Sequence, residues 1–179
     1  MASLIYKEHV FSDYDIKTLC GPVDWRQNDI TIFGKTYPEP RLTAWYGPPY
    51  KYSSIQWEAQ DMPEFLKALQ RETEQLCNFS FNAALLNYYR DGQDSMGWHS
   101  DDEKEIDQSC IASLSFGASR KLKFRLKSDH SVKEELILTH GSLLIMNDYQ
   151  ELWQHSIPKT KRVSEPRLNI TFRRVRLEV

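Results

Sequence analysis

The sequence predicts a mainly β, α+β fold in which an N-terminal α/β section packs on a C-terminal β-sandwich or barrel. Three observations predict it. From residue 80 onward, short runs that alternate polar and apolar residues follow one another. Turn signals separate them at Asp91-Gly92, Gly117-Ala118, Ser128-Asp129, His140-Gly141 and Asn147-Asp148. The strongest helical period lies before them, over residues 61–77.

In chain order, Asp13 to Cys20 reads as a short helix entered at Ser12 and stopped before Gly21-Pro22. Residues 22–60 are rich in Pro, Gly, Tyr and Trp, with strand-like pieces at Asp29–Phe33 and Leu42–Tyr46. Asp61 to Cys77 is the best helix. Asp61 and Glu64 have the spacing of a capping box, and Met62, Phe65, Leu66, Leu69 and Leu76 share one face. The later strands are predicted at Phe81–Arg90, Ile111–Phe116, Lys121–Leu126, Glu134–Leu138, Ser142–Met146, Trp153–Ile157 and Leu168–Val175. The clearest alternation sets Leu122, Phe124 and Leu126 against Lys121, Lys123 and Arg125.

Composition narrows the class. The 179 residues carry 23 basic and 25 acidic side chains, 40% hydrophobic residues, seven Gly and eight Pro. That is an ordinary globular composition, not a collagen-like or low-complexity one. No apolar run is long enough to span a bilayer, and no basic-then-apolar start marks a secretory signal. Cys20, Cys77 and Cys110 are odd in number and scattered, so a reducing compartment is expected: the cytoplasm, or the nucleus in a eukaryote. The net charge of −2 excludes nucleic-acid binding by bulk charge alone, but the charges are segregated. Asp101 to Asp107 is acidic, whereas Arg120, Lys121, Lys123, Arg125 and Lys127 form a basic run, and the tail from Lys159 is also basic. Either these are solvated strand faces, or a basic rim surrounds an acidic pocket.

The strongest chemical feature is His99-Ser100-Asp101, with His155 much later. Residues i and i+2 of an extended segment point to one face, so His99 and Asp101 are placed to grip one ion. Two imidazoles and a carboxylate on one side of a metal leave the other side open, as in the facial triad of non-haem Fe(II) oxygenases. The same ligands also suit catalytic zinc, and His-x-Asp recurs by chance. His9, His130 and His140 sit near the terminus or in turns and are not candidate ligands. In a second constellation, Arg167, Asn169, Thr171 and Arg173 alternate with Leu168, Ile170 and Phe172. Two guanidinium forks on one strand face suit a dicarboxylate if that face points inward. If it points outward, it is merely solvated.

The runs Asn87-Tyr88-Tyr89-Arg90-Asp91-Gly92, Trp98 to Glu103, Ile111 to Ala118, Trp153-Gln154-His155 and Arg167 to Arg173, with Pro40 to Gly47, resemble the AlkB family. These are Fe(II)/2-oxoglutarate-dependent nucleic-acid dealkylases, and the likeness is strongest to the subgroup of homologues 2 and 3, homologue 3 above all. It covers residues 38 to 176 in order and is less distinct before that. The resemblance implies one dioxygenase domain over 1–179, with a double-stranded β-helix (jelly-roll) core at 80–179 and a nucleotide-recognition lid at 22–60. It implies His99, Asp101 and His155 as metal-binding and catalytic residues. It implies Asn87, Tyr89, Arg167, Asn169 and Arg173 as the 2-oxoglutarate site, with Fe(II), 2-oxoglutarate and O₂ as cofactors. The activity implied is oxidative demethylation of bases of the 1-methyladenine and 3-methylcytosine type, as direct-reversal repair releasing formaldehyde and succinate.

Aromatic residues interleaved with Arg41 and Lys51 in the lid suit base stacking beside phosphates. Trp45 and Trp57 read as core. The family pattern points to Tyr52 as the stacker, Tyr50 as a polar contact and an acidic base contact in Asp102-Glu103, here Glu103. Arg41, Tyr50, Tyr52, Asp102 and Glu103 are thus the candidate substrate contacts. No long apolar finger is visible in the lid, so single-stranded DNA or RNA is the expected substrate and the protein is expected to be monomeric. Two other classes remain open: a 2-oxoglutarate-dependent hydroxylase of a protein side chain or small molecule, and a binding module without catalysis.

Overall fold

The computed structural model describes residues 1–52 and 55–176, with only the backbone at Ile32 and Tyr52. The first elements are β1 (Ser3–Lys7), α1 (Ile16–Cys20), β2 (Asp29–Ile32), β3 (Lys35–Pro38), β4 (Leu42–Tyr46), β5 (Tyr50–Tyr52), β6 (Ile55–Trp57) and α2 (Glu64–Cys77). Then come β7 (Ala83–Tyr89), β8 (Met96–His99), β9 (Ile111–Gly117), β10 (Arg120–Leu126), β11 (Lys133–Leu138), β12 (Ser142–Asn147), β13 (Trp153–Ile157) and β14 (Arg167–Arg173). A six-stranded antiparallel sheet has the order β1-β12-β9-β14-β7-β4, and a four-stranded one has the order β11-β10-β13-β8. The major sheet therefore takes in two strands from outside residues 80–179, β1 and β4.

Alternation along the strands builds three layers. Leu168, Ile170 and Phe172 of β14 point to the helices and pack with Leu66, Leu69 and Leu19. Leu122, Phe124 and Leu138 of the minor sheet meet Ala83, Ile111, Leu144 and Met146 of the major sheet in a second core between the sheets. β14, between β9 and β7, is buried at all seven positions. Its inward polar side chains are therefore walled in by both sheets. This is the jelly-roll arrangement, and the expected strands from residue 80 onward are all present within a few residues of their predicted limits.

Four details differ from expectation. The first helix begins at Ile16 and is capped by Asp15, whose carboxylate accepts from the Thr18 amide at 2.9 Å, not by Ser12. The Asp61–Glu64 capping box does not form, because Pro63 is the N-cap and leaves Asp61 outside the helix. The last strand ends at Arg173 rather than Val175, which makes only an isolated bridge to Ile106. The strand expected at Asp29–Phe33 is the first arm of a hairpin. Phe33 (φ 49°) and Gly34 (φ 75°) form its two-residue turn, the left-handed pair that matches strand twist. Phe33 stands at the tip fully exposed, at 101% of its reference area. The hairpin thus presents an exposed aromatic side chain at its tip, which was not visible in the sequence.

Leu66 is fully buried in α2, whereas Leu76 on the same predicted face is 40% exposed. Leu66→Ala should cost ~2–5 kcal/mol in urea unfolding. Leu76→Ala should stay within ~0.5 kcal/mol, as surface substitutions do.

Candidate active site

β8 and β13 are neighbours in the minor sheet, and His99 is the register partner of His155. Strand pairing alone therefore brings the distant histidine to the His-x-Asp motif. The two rings lie 4.1 Å apart between centroids. His99 Nε2 is 4.0 Å from Asp101 Oδ1, and His155 Nε2 is 3.9 Å from Asp101 Oδ2. One ligand atom from each of the three lies within 4.8 Å of the others, the one such histidine–carboxylate group among the described residues. Asp101 lies just past β8, where its amide donates to Gln150 Oε1 at 3.1 Å. The preceding residue is tied as well, since Ser100 Oγ donates to the Trp153 carbonyl at 2.9 Å.

The electrostatics suit a cation. His99 Nδ1–H donates to the Gly97 carbonyl at 2.9 Å, which leaves Nε2 free to ligate. Burial drives the His155 pKa down to about 3, reinforced by His99. Burial also lowers His99, although Asp101 opposes it. Both imidazoles are therefore neutral near pH 7, the form that binds metal. Burial pushes the Asp101 carboxyl up, but the Arg173 guanidinium leads the charges that outweigh it and hold it below its ordinary range. Arg173 Nη2 donates to Asp101 Oδ1 at 2.8 Å, with both side chains buried.

The polar face of β14 forms the pocket floor. Arg167, Asn169, Thr171 and Arg173 line one cavity with His99, Asp101 and His155, and Asn87 and Tyr89 of β7 line it too. Arg167 is 1% exposed. Its Nη2 donates to Ser115 Oγ at 2.9 Å, and its guanidinium lies 5.2 Å from the Tyr89 ring centroid. Its Nε and Nη1 have no well-formed hydrogen bond among the described residues. Tyr89 is near enough to act as a hydrogen-bond partner, so the guanidinium meets neutral groups, and a buried guanidinium so placed fits a carboxylate. The residues present thus fit both a divalent metal and an anionic chelator.

The substrate candidates separate. Tyr50 is buried, stacked on Trp45 at 4.6 Å, and turned toward Glu103. Tyr50 Oη and Glu103 Oε2 are both buried without a well-formed bond, yet close enough to perturb one another's titration. Asp102 instead faces outward and pairs with Lys127 at 2.7 Å. Arg41 is not on an open lid surface but 5% exposed, bonded to Glu39, Asn87 and the Ser95 carbonyl. The Tyr52 side chain lies outside the described residues. Trp45 and Trp57 are core residues.

The basic run is also corrected at one position. Arg120 is 2% exposed and donates to the Asp91, Asp94 and Pro158 carbonyls. Glu39, Ser113 and Ser115 were not singled out in the sequence. Ser113 and Ser115 had a signal, since they alternate within the apolar run Ile111 to Phe116.

Residues 8–173 match the 2OG-Fe(II) oxygenase superfamily. The chain belongs to this superfamily. The 2OG-Fe(II) oxygenase match extends to named relatives. The chain is 42% identical over 179 residues to the alpha-ketoglutarate-dependent dioxygenase alkB homolog 3 of Mus musculus, covering 92% of this chain and 62% of that protein. The Homo sapiens homolog 3 is 41% identical over 176 residues, with 92% and 62% covered. The DNA oxidative demethylase ALKBH2 of Bos taurus is 38% identical over 158 residues, covering 82% of this chain and 57% of that protein. The chain thus spans less than two thirds of the length of these relatives. A solved structure, "The structure of OsALKBH1", superposes with a TM-score of 0.71 at 15% identity over 97% of this chain and 99% of that one. That likeness concerns the fold alone. The iron and 2-oxoglutarate that give the superfamily its name suit two neutral histidines with an ionised Asp101, and the buried Arg167 guanidinium beside them.

The buried histidines set an acid limit for the metal-free protein. A histidine whose folded pKa lies below its unfolded value stabilises the fold above the unfolded pKa. That stability is lost as pH falls toward the folded one. Between pH 6.5 and about 3 the unfolded chain binds the His155 proton and the folded one does not. Stability should therefore fall on acidification, by at most ~1.4 kcal/mol per pH unit for this group. His155→Gln should flatten that slope in urea midpoints between pH 7 and pH 5.

Proposed function

We propose that this protein is an Fe(II)/2-oxoglutarate-dependent dioxygenase that demethylates N-alkylated bases in DNA or RNA. The substrates are of the 1-methyladenine and 3-methylcytosine type. The observation that carries the reading is the cluster of His99, Asp101 and His155 lining one pocket with the buried Arg167, which has no carboxylate partner of its own among the described residues. The relatives that bear dioxygenase and DNA demethylase names support it. When bound, iron and 2-oxoglutarate supply the oxidation of the N-methyl carbon by O₂, with succinate, CO₂ and formaldehyde as products.

The chain's own residues bind and orient. His99, Asp101 and His155 hold the metal, and Arg173 keeps Asp101 ionised and in place. Arg167 takes a carboxylate of the co-substrate, with Asn87, Tyr89 and Asn169 around it. The apolar second core walls the pocket against water. Tyr50 and Glu103 stand beside Asp101 and form the base-reading side. A cationic methylated base gives the partly buried Glu103 an attraction that a neutral base does not, and more so than in bulk water.

A base inside a duplex cannot reach such a site without being flipped out. The exposed Phe33 at the hairpin tip suits the wedge role of apolar side chains that unstack base steps. Paired DNA is in this reading a substrate beside the single strands expected from the sequence.

The deciding assay is 2-oxoglutarate turnover with methylated and unmethylated oligonucleotides, single- and double-stranded. Methyl-dependent turnover with formaldehyde release is expected. Turnover indifferent to oligonucleotide would point instead to a protein or small-molecule hydroxylase. Phe33→Ser should lower turnover on duplex about tenfold, losing one to a few kcal/mol of unstacking help, and leave single strands unaffected. Equal loss on both would remove the finger from the mechanism. Glu103→Gln should impair the cationic lesions more than a neutral etheno lesion.

A further inference from the structure

A buried ion pair stands at the entrance to β4. Arg41 Nη2 lies 3.0 Å from Glu39 Oε1, and the two side chains are 6% and 2% exposed. Glu39 also accepts from Asn28 Nδ2 at 3.1 Å and from Thr43 Oγ1 at 3.2 Å. The Arg41 fork is thereby held rigid, and its Nε donates to Asn87 Oδ1 at 2.8 Å. Asn87 Nδ2 in turn donates toward Asn169 Oδ1 at 3.4 Å, and Asn169 Nδ2 donates to Ser113 Oγ at 2.8 Å. A line of hydrogen bonds thus crosses the major sheet from the lid segment to the pocket floor.

The line has a fixed direction. Arginine offers donors only, so Asn87 must turn its oxygen to Arg41 and its NH₂ the other way. Asn169 is fixed independently, because its Nδ2 also donates to the Leu114 carbonyl at 3.0 Å. Among the described residues Asn87 has no comparable second anchor; its contact with Asn169 is long. Arg41 therefore decides which end of the Asn87 amide faces the cavity.

We propose that Arg41, held by Glu39, is a positioning residue for the co-substrate pocket, fixing the Asn87 amide so that its N–H groups face the bound anion. This rests on the reading that the pocket takes 2-oxoglutarate. A reversed amide would set an oxygen against a dicarboxylate. It differs from a nucleic-acid contact by Arg41, which lines a small cavity with Tyr50 and Asp101 but donates from Nε, Nη1 and Nη2 to Asn87, the Ser95 carbonyl and Glu39.

Arg41→Lys separates the two roles. Lysine keeps a terminal cation for Glu39 but has a methylene where Nε stands, so Asn87 loses its donor. Zinc-loaded protein is titrated with 2-oxoglutarate by calorimetry, which reads binding and not turnover. Affinity should fall about tenfold in Arg41→Lys, the size of one lost hydrogen bond to a charged group. Affinity for a methylated oligonucleotide, read by fluorescence anisotropy, should match that of the parent protein. Weakened oligonucleotide binding with normal 2-oxoglutarate affinity would overturn the proposal. Asn87→Asp tests it without touching the ion pair, since an acceptor-only side chain still pairs with Arg41. It should weaken 2-oxoglutarate binding at least as much, and unchanged affinity would refute the assigned sense of the amide. Arg167→Ala is the control. If it alone loses binding, only the positioning role fails; if the parent protein binds no 2-oxoglutarate, the pocket reading fails with it.

Discussion

Burying a guanidinium group costs several kcal/mol unless carbonyls or anions take its protons, and β14 buries two on one face. Much of the structure follows from that cost. Arg173 meets Asp101 at 2.8 Å, and that contact draws the loop after β8 against the major sheet. The carboxylate is then shared between the guanidinium and two imidazoles, so one side chain joins the sheets electrostatically. Arg167, at the other end of the strand, has Ser115 Oγ and Tyr89 close by, with Arg120 near enough to repel it. The two ends thus differ in kind: one meets a carboxylate of the protein, and the other meets neutral groups, as the proposed co-substrate site would need.

Placement of the metal cluster depends on a second buried arginine system. Arg120 on β10 donates to three carbonyls, two in the loop before β8 and one just after β13. Arg90 clamps the same loop through Asp94 at 2.8 Å. Any side chain at Gly92 would collide with the Thr160 carbonyl, so the loop is pressed against the segment after β13. The strands bearing His99 and His155 are in this way fixed in register by contacts outside the site. Such support is what keeps ligands within the narrow tolerance of a working metal centre.

Legibility followed the physics of each element. The polar face of β14 and the His99–Asp101 pair could be read because period two is preserved in both segments. Arg120 was grouped with exposed cations because charge usually marks solvent. Period two in fact sets it on the inward face with Leu122 and Phe124, and a buried arginine bonded to carbonyls is rare enough to be read the other way. β1 went unread because its alternation is weak and its pairing with β12 joins residues at opposite ends of the chain. The capping box failed because Pro63 displaced the helix start. The finger failed because Phe33 reads as the last residue of a strand, whereas its left-handed backbone makes it the first residue of a turn. The burial of Arg41 was illegible for a different reason: an aromatic and basic segment suggests a surface, and nothing local shows that Glu39 is buried beside it.

Glu39 also joins parts that the sequence places in different regions. A two-stranded ribbon such as β2–β3 is marginal on its own and needs anchoring at its base. Here the Glu39 amide donates to the Asn28 carbonyl at 2.8 Å, and Gln27 Nε2 donates to the Glu39 carbonyl at 2.8 Å. The Glu39 carboxylate accepts from Asn28 as well, and from Arg41 on its other oxygen. The base of the finger and the line of hydrogen bonds to the pocket floor therefore share one buried carboxylate. Neither can be repacked without disturbing the other, because a charge left unpaired there would cost more than either set of contacts returns. The finger that would meet nucleic acid and the amide that would meet the co-substrate are thus held in one rigid frame, built from the short segment between β3 and β4.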